Sequence, residues 1–348
     1  MSEPEKRKLI VSLTSYPARI SGVAQVLESL KRQTRPADEI VLYLSGDQYP
    51  GREKDLPEDL LKATEAGDAL IRWVEGDLKP HKKYFYAFRE YASDLVMTVD
   101  DDVIYPPEMI ESFLETHRQY PGAVVAGRTH LMTFDGAGEL NPYTLWVQRT
   151  MGFPEGPSLQ LFAVGVGGVL YNPGMFPPEL LNREAVRENC LEADDLWLKA
   201  MELAAGIPVV RTSLPELVKF VPGSQECSLY LTNQVGDRNE EYLANIRKWM
   251  LRSMGGDPFS GLSEDEKYPV VKETGDLLRY INNDRKVQLT GISKVWRRKE
   301  EQAAVLQRRA EALEENVTKL RESRSYRIGN AIIRPFARVL DPKGRNER

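Results

Sequence analysis

Apolar residues in the first two hundred positions recur with two different periods. Short runs rich in Val, Ile and Leu predict strands over residues 9–13, 40–44, 95–99 and 123–126, with a weaker one over 70–74. Between them the apolar positions recur every three to four residues. Val23, Val26, Leu27 and Leu30 mark a helix over 23–30, residues 82–91 a second, and 107–120 a third with Met109, Ile110, Phe113 and Leu114 facing inward. Strands alternating with helices predict crossover connections and a mainly parallel sheet, the α/β class. Ligands of such sheets bind beyond the carboxyl ends of the strands. That rule puts Thr14, Ser15, Tyr16, Ser45, Asp100, Asp101 and Asp102 on one rim.

Further along, the pattern loosens. Residues 134–158 are rich in Gly and Pro and predict a long loop over that rim. Residues 162–171 read as a strand interrupted by Gly165, Gly167 and Gly168, 194–205 as a helix closed by Gly206, and 207–210 as a last strand. Residues 212–292 are mostly polar helix and loop with no legible chemical role. Beyond them Trp296, Ala303, Leu306, Ala310, Leu313, Val317 and Leu320 fall on alternating spacings of three and four, with one seam position occupied by Lys299. A coiled coil joining copies of the chain through residues 296–320 explains that seam; a helix packed on its own domain explains it equally well. Over residues 326–340, Ile328, Ile332, Ile333, Phe336 and Val339 are set against Arg327, Arg334 and Arg338, a pattern that suits a membrane interface. The chain thus divides into an α/β core (1–211), a helical and loop extension (212–292), a coiled-coil helix (293–325) and a basic amphipathic tail (326–348).

Composition narrows the class. The chain has 348 residues, 41% apolar and 28% charged, ordinary for a globular protein. No stretch approaches the roughly 20 apolar residues that cross a bilayer, and residues 1–8 do not read as a signal peptide. Cys190 and Cys227 are too few for a disulfide framework or a cysteine zinc site, so a reducing, cytoplasmic setting is expected. The net charge of −5 is unevenly spread: residues 293–348 hold 15 Lys and Arg against 8 Asp and Glu, a balance of +7, leaving −12 on the preceding 292. A basic tail on an acidic body points to an anionic surface as partner, such as the inner face of the plasma membrane, rather than to nucleic acid.

Two acidic clusters carry the chemistry. Asp100, Asp101 and Asp102 follow a buried apolar run, and three adjacent carboxylates repel one another unless a cation compensates. Hard oxygen ligands select Mg²⁺ or Mn²⁺, which can bridge carboxylates and a diphosphate. If strand geometry persists, Asp100 and Asp102 share a face and Asp101 points away, towards a ribose or a structural hydrogen bond. An acidic turn capping the helix after Pro107 is the plainer explanation. The second cluster, Asp194 and Asp195, opens a helix, where acidic residues also serve as simple caps. A carboxylate there can act as general base towards a hydroxyl; Asp195 is assigned that role, with Asp194 orienting the acceptor or its partner.

The segments VSLTSYPAR (11–19), DLKPHKK (77–83), VDDDVIY (99–105), GVGGVLY (165–171) and ADDLWL (193–198) resemble, in order, those of bacterial family 2 glycosyltransferases of the GT-A fold. The resemblance spans roughly residues 8–211. It implies a metal-dependent, inverting transfer of a sugar from a nucleotide diphosphate donor, a UDP-sugar first among candidates, to a saccharide or lipid-linked acceptor in surface polysaccharide biosynthesis. It places Asp100 and Asp102 as ligands of Mn²⁺ or Mg²⁺, the metal balancing charge on the departing diphosphate. Thr14, Ser15, Tyr16, Arg19 and Asp101 would line the nucleotide pocket, with Ser45 near the base and Lys79, Lys82 and Lys83 on phosphates. A solvated surface explains that basic run as well. Gly167, Gly168 and Trp197 would meet sugar or acceptor, although a strand bulge also accounts for the glycines. Several family members add a His ligand after the acidic pair; here His81, His117 and His130 all precede it. His81 is read as a surface or packing residue. A nucleotidyltransferase of similar fold would carry a denser glycine loop after the first strand, and a non-catalytic coiled-coil scaffold would not need both acidic clusters.

Overall fold

A computed structural model describes residues 7–262, apart from 66–68, 136, 149, 151–155, 213–218 and 225–237. The chain divides into two units, Met1–Ile281 and Asn282–Arg348. The second, and with it the heptad seam and basic tail, lies outside the described residues.

Strands β1 (Leu9–Thr14), β2 (Glu39–Ser45) and β4 (Leu95–Thr98) are buried along nearly their whole length, as parallel strands covered on both faces must be. They pair with β3 (Leu70–Val74), β6 (Val124–Ala126), β9 (Val169–Tyr171) and β10 (Val209–Arg211) in one seven-stranded sheet of order β10-β6-β9-β4-β1-β2-β3. The pairs β1–β2, β1–β4, β2–β3 and β6–β10 are parallel, whereas β9 runs antiparallel to both its neighbours. Along β1 the period of two sorts the side chains. Leu9, Val11 and Leu13 join a core with α1 (Val23–Lys31) and α4 (Met109–Gln119). Ile10 joins the opposite core with α3 (Lys82–Glu90) and α6 (Asp194–Ala204). Ser12, on the α3 side, donates its hydroxyl to the carbonyl of Lys83 and ties that helix to the strand.

The strand read over 162–171 is two strands in different sheets. β8 (Leu161–Ala163) pairs with β7 (Thr129–Leu131), and β9 enters the main sheet. The tight turn Gly165–Gly167 separates them, and Gly168 at φ +77 lets the chain leave it. A Cβ on Gly127 would stand 2.2 Å from the Gly167 carbonyl oxygen, and one on Gly167 would stand 2.5 Å from the Arg128 nitrogen. These glycines therefore admit the close crossing of two backbones. The remaining elements are α2 (Glu58–Glu65), α5 (Arg183–Asn189), the short pair β5 (Val103–Ile104) with β11 (Lys219–Phe220), and α7 (Arg238–Ser253). Helix α7 belongs to the extension and packs Trp249 against Trp197 of α6, ring centroids 5.0 Å apart.

Candidate active site

At the carboxyl end of β1 and β4 lies a cavity of about 510 Å³. It brings together twelve residues expected of the site: Thr14, Ser15, Tyr16, Arg19, Lys79, Lys82, Lys83, Asp100, Asp101, Asp102, Asp194 and Asp195. Ser45, Gly167, Gly168 and Trp197 do not line it. Ser45 is fully buried and accepts the Asp47 N–H at 3.3 Å. Trp197 is fully buried and donates its indole N–H to the Leu180 carbonyl at 2.9 Å. It faces the core because it sits past the first turn of α6, on the apolar side.

The Asp triplet occupies a turn beyond β4, so the alternation of a strand does not apply to it. Its members divide by partner. Ser15 donates to Asp101 at 2.6 Å, and Arg19 Nη1 lies 3.0 Å from Asp101 Oδ1 and 3.2 Å from Asp102 Oδ2. Asp101 and Asp102 thus share one guanidinium. Burial raises the Asp101 pKa despite these bonds. Burial alone would lower that of Arg19, but the two carboxylates outweigh it and leave it raised. Asp100 turns the other way and accepts from Lys83 Nζ at 2.8 Å, while the Tyr105 hydroxyl holds its backbone N–H at 2.9 Å.

Lys79 and Lys82 flank Asp77. Lys79 Nζ lies 3.1 Å from Asp77 Oδ2, and buried Lys82 pairs with Oδ1. Lys79 has φ +52, a conformation a side-chain-bearing residue adopts at a cost, in a cavity wall where such strain tends to gather. Thr14 gives its hydroxyl to the Tyr43 carbonyl at 2.8 Å, and the Arg19 guanidinium sits 5.8 Å from the ring centre of Tyr16. His81 is a packing residue: it is fully buried, with Nε2 2.8 Å from the Cys190 carbonyl and Nδ1 2.9 Å from the Tyr84 hydroxyl. A carbonyl only accepts, so Nε2 carries the proton; burial lowers the ring's pKa to about 4.

Across the cavity, Asp194 and Asp195 open α6. Lys83 Nζ lies 3.0 Å from Asp194 Oδ2, an ionic contact without hydrogen-bond alignment, and the Gly165 N–H donates to Asp195 Oδ2 at 3.1 Å. Burial first, and then the charge of Asp194, raise the pKa of Asp195 to about 8, against the pull of Lys83 and the Gly165 N–H. A Cβ on Gly165 would stand 3.0 Å from Lys83 Nζ, 3.2 Å from Asp195 Oδ1 and 3.5 Å from Asp100 Oδ1. Lys83, Asp195 and Asp100 thus converge on the Gly165 backbone, and a side chain there would require them to shift by a few tenths of an ångström. Sequence reasoning noted Gly165 as a strand interruption and missed it as part of the site. It also missed Gln48, Arg128, Gln148, Glu192 and Asn239, and the stacked pair His130 and Phe162, which line the cavity. No signal short of the β7–β8 pairing brings that last pair to the rim.

Among the described residues no group of three or more His, Cys, Asp or Glu is arranged to hold a metal by itself. Asp100 and Asp102 both face the cavity, and the bond from Lys83 uses only one oxygen of Asp100. This donor set fits an ion of the Mg²⁺ type, which usually takes one or two carboxylates and completes its shell with water and substrate phosphates.

A mainly parallel α/β sheet with an acid-lined cavity at its carboxyl edge places the cavity where ligands of such sheets bind. Residues 14–144 match the family described as glycosyl transferase family 2, a span that includes the Asp triplet and ends before Asp194. That span is under half of the chain, and over it the protein is similar to family 2 glycosyl transferases. No curated protein matches the chain. It is similar to the glucosyl-3-phosphoglycerate synthase of Mycobacterium tuberculosis, solved with Mn²⁺, UDP and phosphoglyceric acid, at 17% identity over 34% of this chain and 42% of that one, TM-score 0.27. The chain thus spans less than half of that relative. Similarity to S. aureus TarS 1–349 with UDP covers 70% of this chain and 65% of that one, at 16% identity and TM-score 0.36. For a mannosyltransferase of Pyrobaculum calidifontis with GDP-Man and Mn²⁺ the shares are 97% and 88%, at 15% identity and TM-score 0.45.

Proposed function

We propose that this glycosyltransferase moves a sugar from a nucleotide diphosphate donor to a saccharide or lipid-linked acceptor by a single inverting displacement, in the assembly of a surface polysaccharide. The observation that carries the reading is the convergence of Asp100 and Asp195 on Gly165 in one cavity. Thr14, Ser15, Tyr16 and Arg19 form the nucleotide side of the cavity, and Lys79 and Lys82 offer positive charge near the diphosphate. Asp100 and Asp102 would hold Mn²⁺ or Mg²⁺; when bound, such an ion balances charge on the leaving diphosphate.

Asp195 takes the proton of the acceptor hydroxyl. Burial and the charge of Asp194 raise its pKa, which makes its carboxylate a stronger base. The Gly165 N–H fixes one of its oxygens and leaves Oδ1 where the two clusters meet. Asp194, held by Lys83, maintains the negative field that makes Asp195 a stronger base. UDP is the first base to test and GDP the second. Residues 293–348 would join copies of the chain through 296–320 and dock the enzyme on anionic lipid at the inner face of the membrane. No helix among the described residues is long and apolar enough to cross a bilayer.

A panel of UDP-, GDP- and dTDP-sugars with Mn²⁺ tests the reading. A donor at 100 times its dissociation constant raises stability by about 2.7 kcal/mol, which thermal unfolding detects, and slow release of nucleoside diphosphate should follow. Release of pyrophosphate instead would indicate nucleotidyl transfer.

A further inference from the structure

Helix α3 opens with Lys82 and Lys83 and has no acidic residue in its first turn. Positive charge is disfavoured at a helix N-terminus, and both lysines are buried, at 1% and 5% exposure. Two unfavourable placements at one point mark a local rule broken for a reason elsewhere. For Lys82 the partner is Asp77. Lys83 reaches deeper, with Nζ 2.8 Å from Asp100 Oδ1 and 3.0 Å from Asp194 Oδ2, and with Gly165 closing its third side. Burial would lower its pKa; Asp100, Asp194 and Asp195 outweigh that and keep it a cation. Its own carbonyl is held by the Ser12 hydroxyl, so strand and helix fix the base of the side chain.

We infer that Lys83 is a positioning residue and a resident cation rather than a phosphate contact. It ties Asp100 to Asp194, so that the ion-binding triplet and the base pair keep one spacing. Its charge also prevents a divalent ion from bridging the two clusters before a donor arrives. The inference rests on the donor and ion reading above. Between Asp100 and Asp194 two negative charges meet one positive charge. A divalent ion at that point would have to displace the ammonium from the same two oxygens. The ammonium is covalently attached and enclosed, so it does not leave. The ion is confined to the Asp100–Asp102 side, where protein ligands are few and the donor's phosphates must complete its shell. Metal and donor then bind together, and the free protein takes up little metal.

Donor-free Mn²⁺ binding, read from the EPR signal of the unbound ion, tests this in the full-length protein. Lys83→Met should bind Mn²⁺ about tenfold or more tightly than wild type, because a unit charge a few ångströms away is worth more than a decade of affinity even when well screened. Lys83→Arg, which keeps the charge, should stay within about threefold of wild type. Lys83→Met with Asp194→Asn removes one cation and one carboxylate together, so it also should stay within about threefold and carries the test if the single variant does not fold. A gain of affinity is not a result that structural damage produces. Unchanged or weaker Mn²⁺ binding by folded Lys83→Met, or tenfold tighter binding by the double variant, overturns the inference. Wild-type protein that binds no Mn²⁺ even with UDP or GDP present overturns the donor reading itself, and the role of Lys83 falls with it.

Discussion

Asp100, Asp101 and Asp102 meet Asp194 and Asp195 in one cavity, yet the two clusters are built by opposite means. The triplet lies on a turn outside regular structure, and side-chain cations hold it: Arg19 between Asp101 and Asp102, and Lys83 on Asp100. The pair sits at the first turn of α6, where backbone N–H groups and the helix dipole favour negative charge, and Gly165 adds one more N–H. A cluster balanced by side-chain cations keeps its compensation in place, and an incoming ion must add the phosphates of a donor to complete its shell. A cluster seated on a helix end keeps its geometry while a proton comes and goes. On the proposed reading the first cluster handles the donor and the second the proton, and Lys83 contacts both.

The contrast can be broken at either end. The largest effect is expected from Arg19→Met, which leaves Asp101 and Asp102 buried without their cation; loss of one partner of a buried pair costs roughly 3–5 kcal/mol. Denaturant unfolding should show that loss, whereas a change under about 1 kcal/mol would mean that the triplet is balanced otherwise. Next comes Gly165→Ala, whose methyl group would stand 3.0 Å from Lys83 Nζ and 3.2 Å from Asp195 Oδ1. Turnover should fall about tenfold or more with the fold intact, since small displacements at a reacting centre are costly; wild-type turnover would show that this meeting point is not where chemistry occurs.

The smallest effect concerns the helix that seats Asp194 and Asp195. Glu202 is buried in α6, 3.3 Å from Lys199, and burial raises its pKa from 4.5 to about 7. The folded protein keeps that proton after the unfolded chain has released it. Its contribution to stability is therefore full below about 4.5 and is lost as pH rises through about 7. Unfolding measured at pH 5, 6 and 7.5 should show a decline that Glu202→Gln flattens. An identical decline in the variant would assign it to other groups.

Much of the donor side was legible in the sequence because local periodicity decides it. The runs at 9–13, 40–44 and 70–74 are β1, β2 and β3 to within a residue, and Val23, Val26, Leu27 and Leu30 form the inner face of α1. Both acidic clusters were singled out although a capping turn or a simple helix cap could explain each, and the fold brings them to one cavity. The cavity wall that carries His130 and Phe162 depends on long-range pairing, which no local pattern announces. Residues 162–171 separate into β8 and β9 because Gly167 must pass Gly127 and Arg128, and that crossing brings His130 and Phe162 to the cavity. The chemical type of Trp197 suits a sugar, but its position along α6 turns it into the core. The resemblance put Lys83 on phosphates; the fold adds the carboxylates on either side of it.

The most direct test of the account is turnover of a nucleotide sugar by wild type, Asp102→Ala and Asp195→Ala in Mn²⁺, with nucleoside diphosphate and glycosylated acceptor both measured. Each variant should fold and lose at least about a hundredfold in rate, the scale of a lost general base, with product confined to the wild-type reaction. Both variants turning over as fast as the parent would contradict a mechanism that pairs an ion site at the triplet with a base at the head of α6.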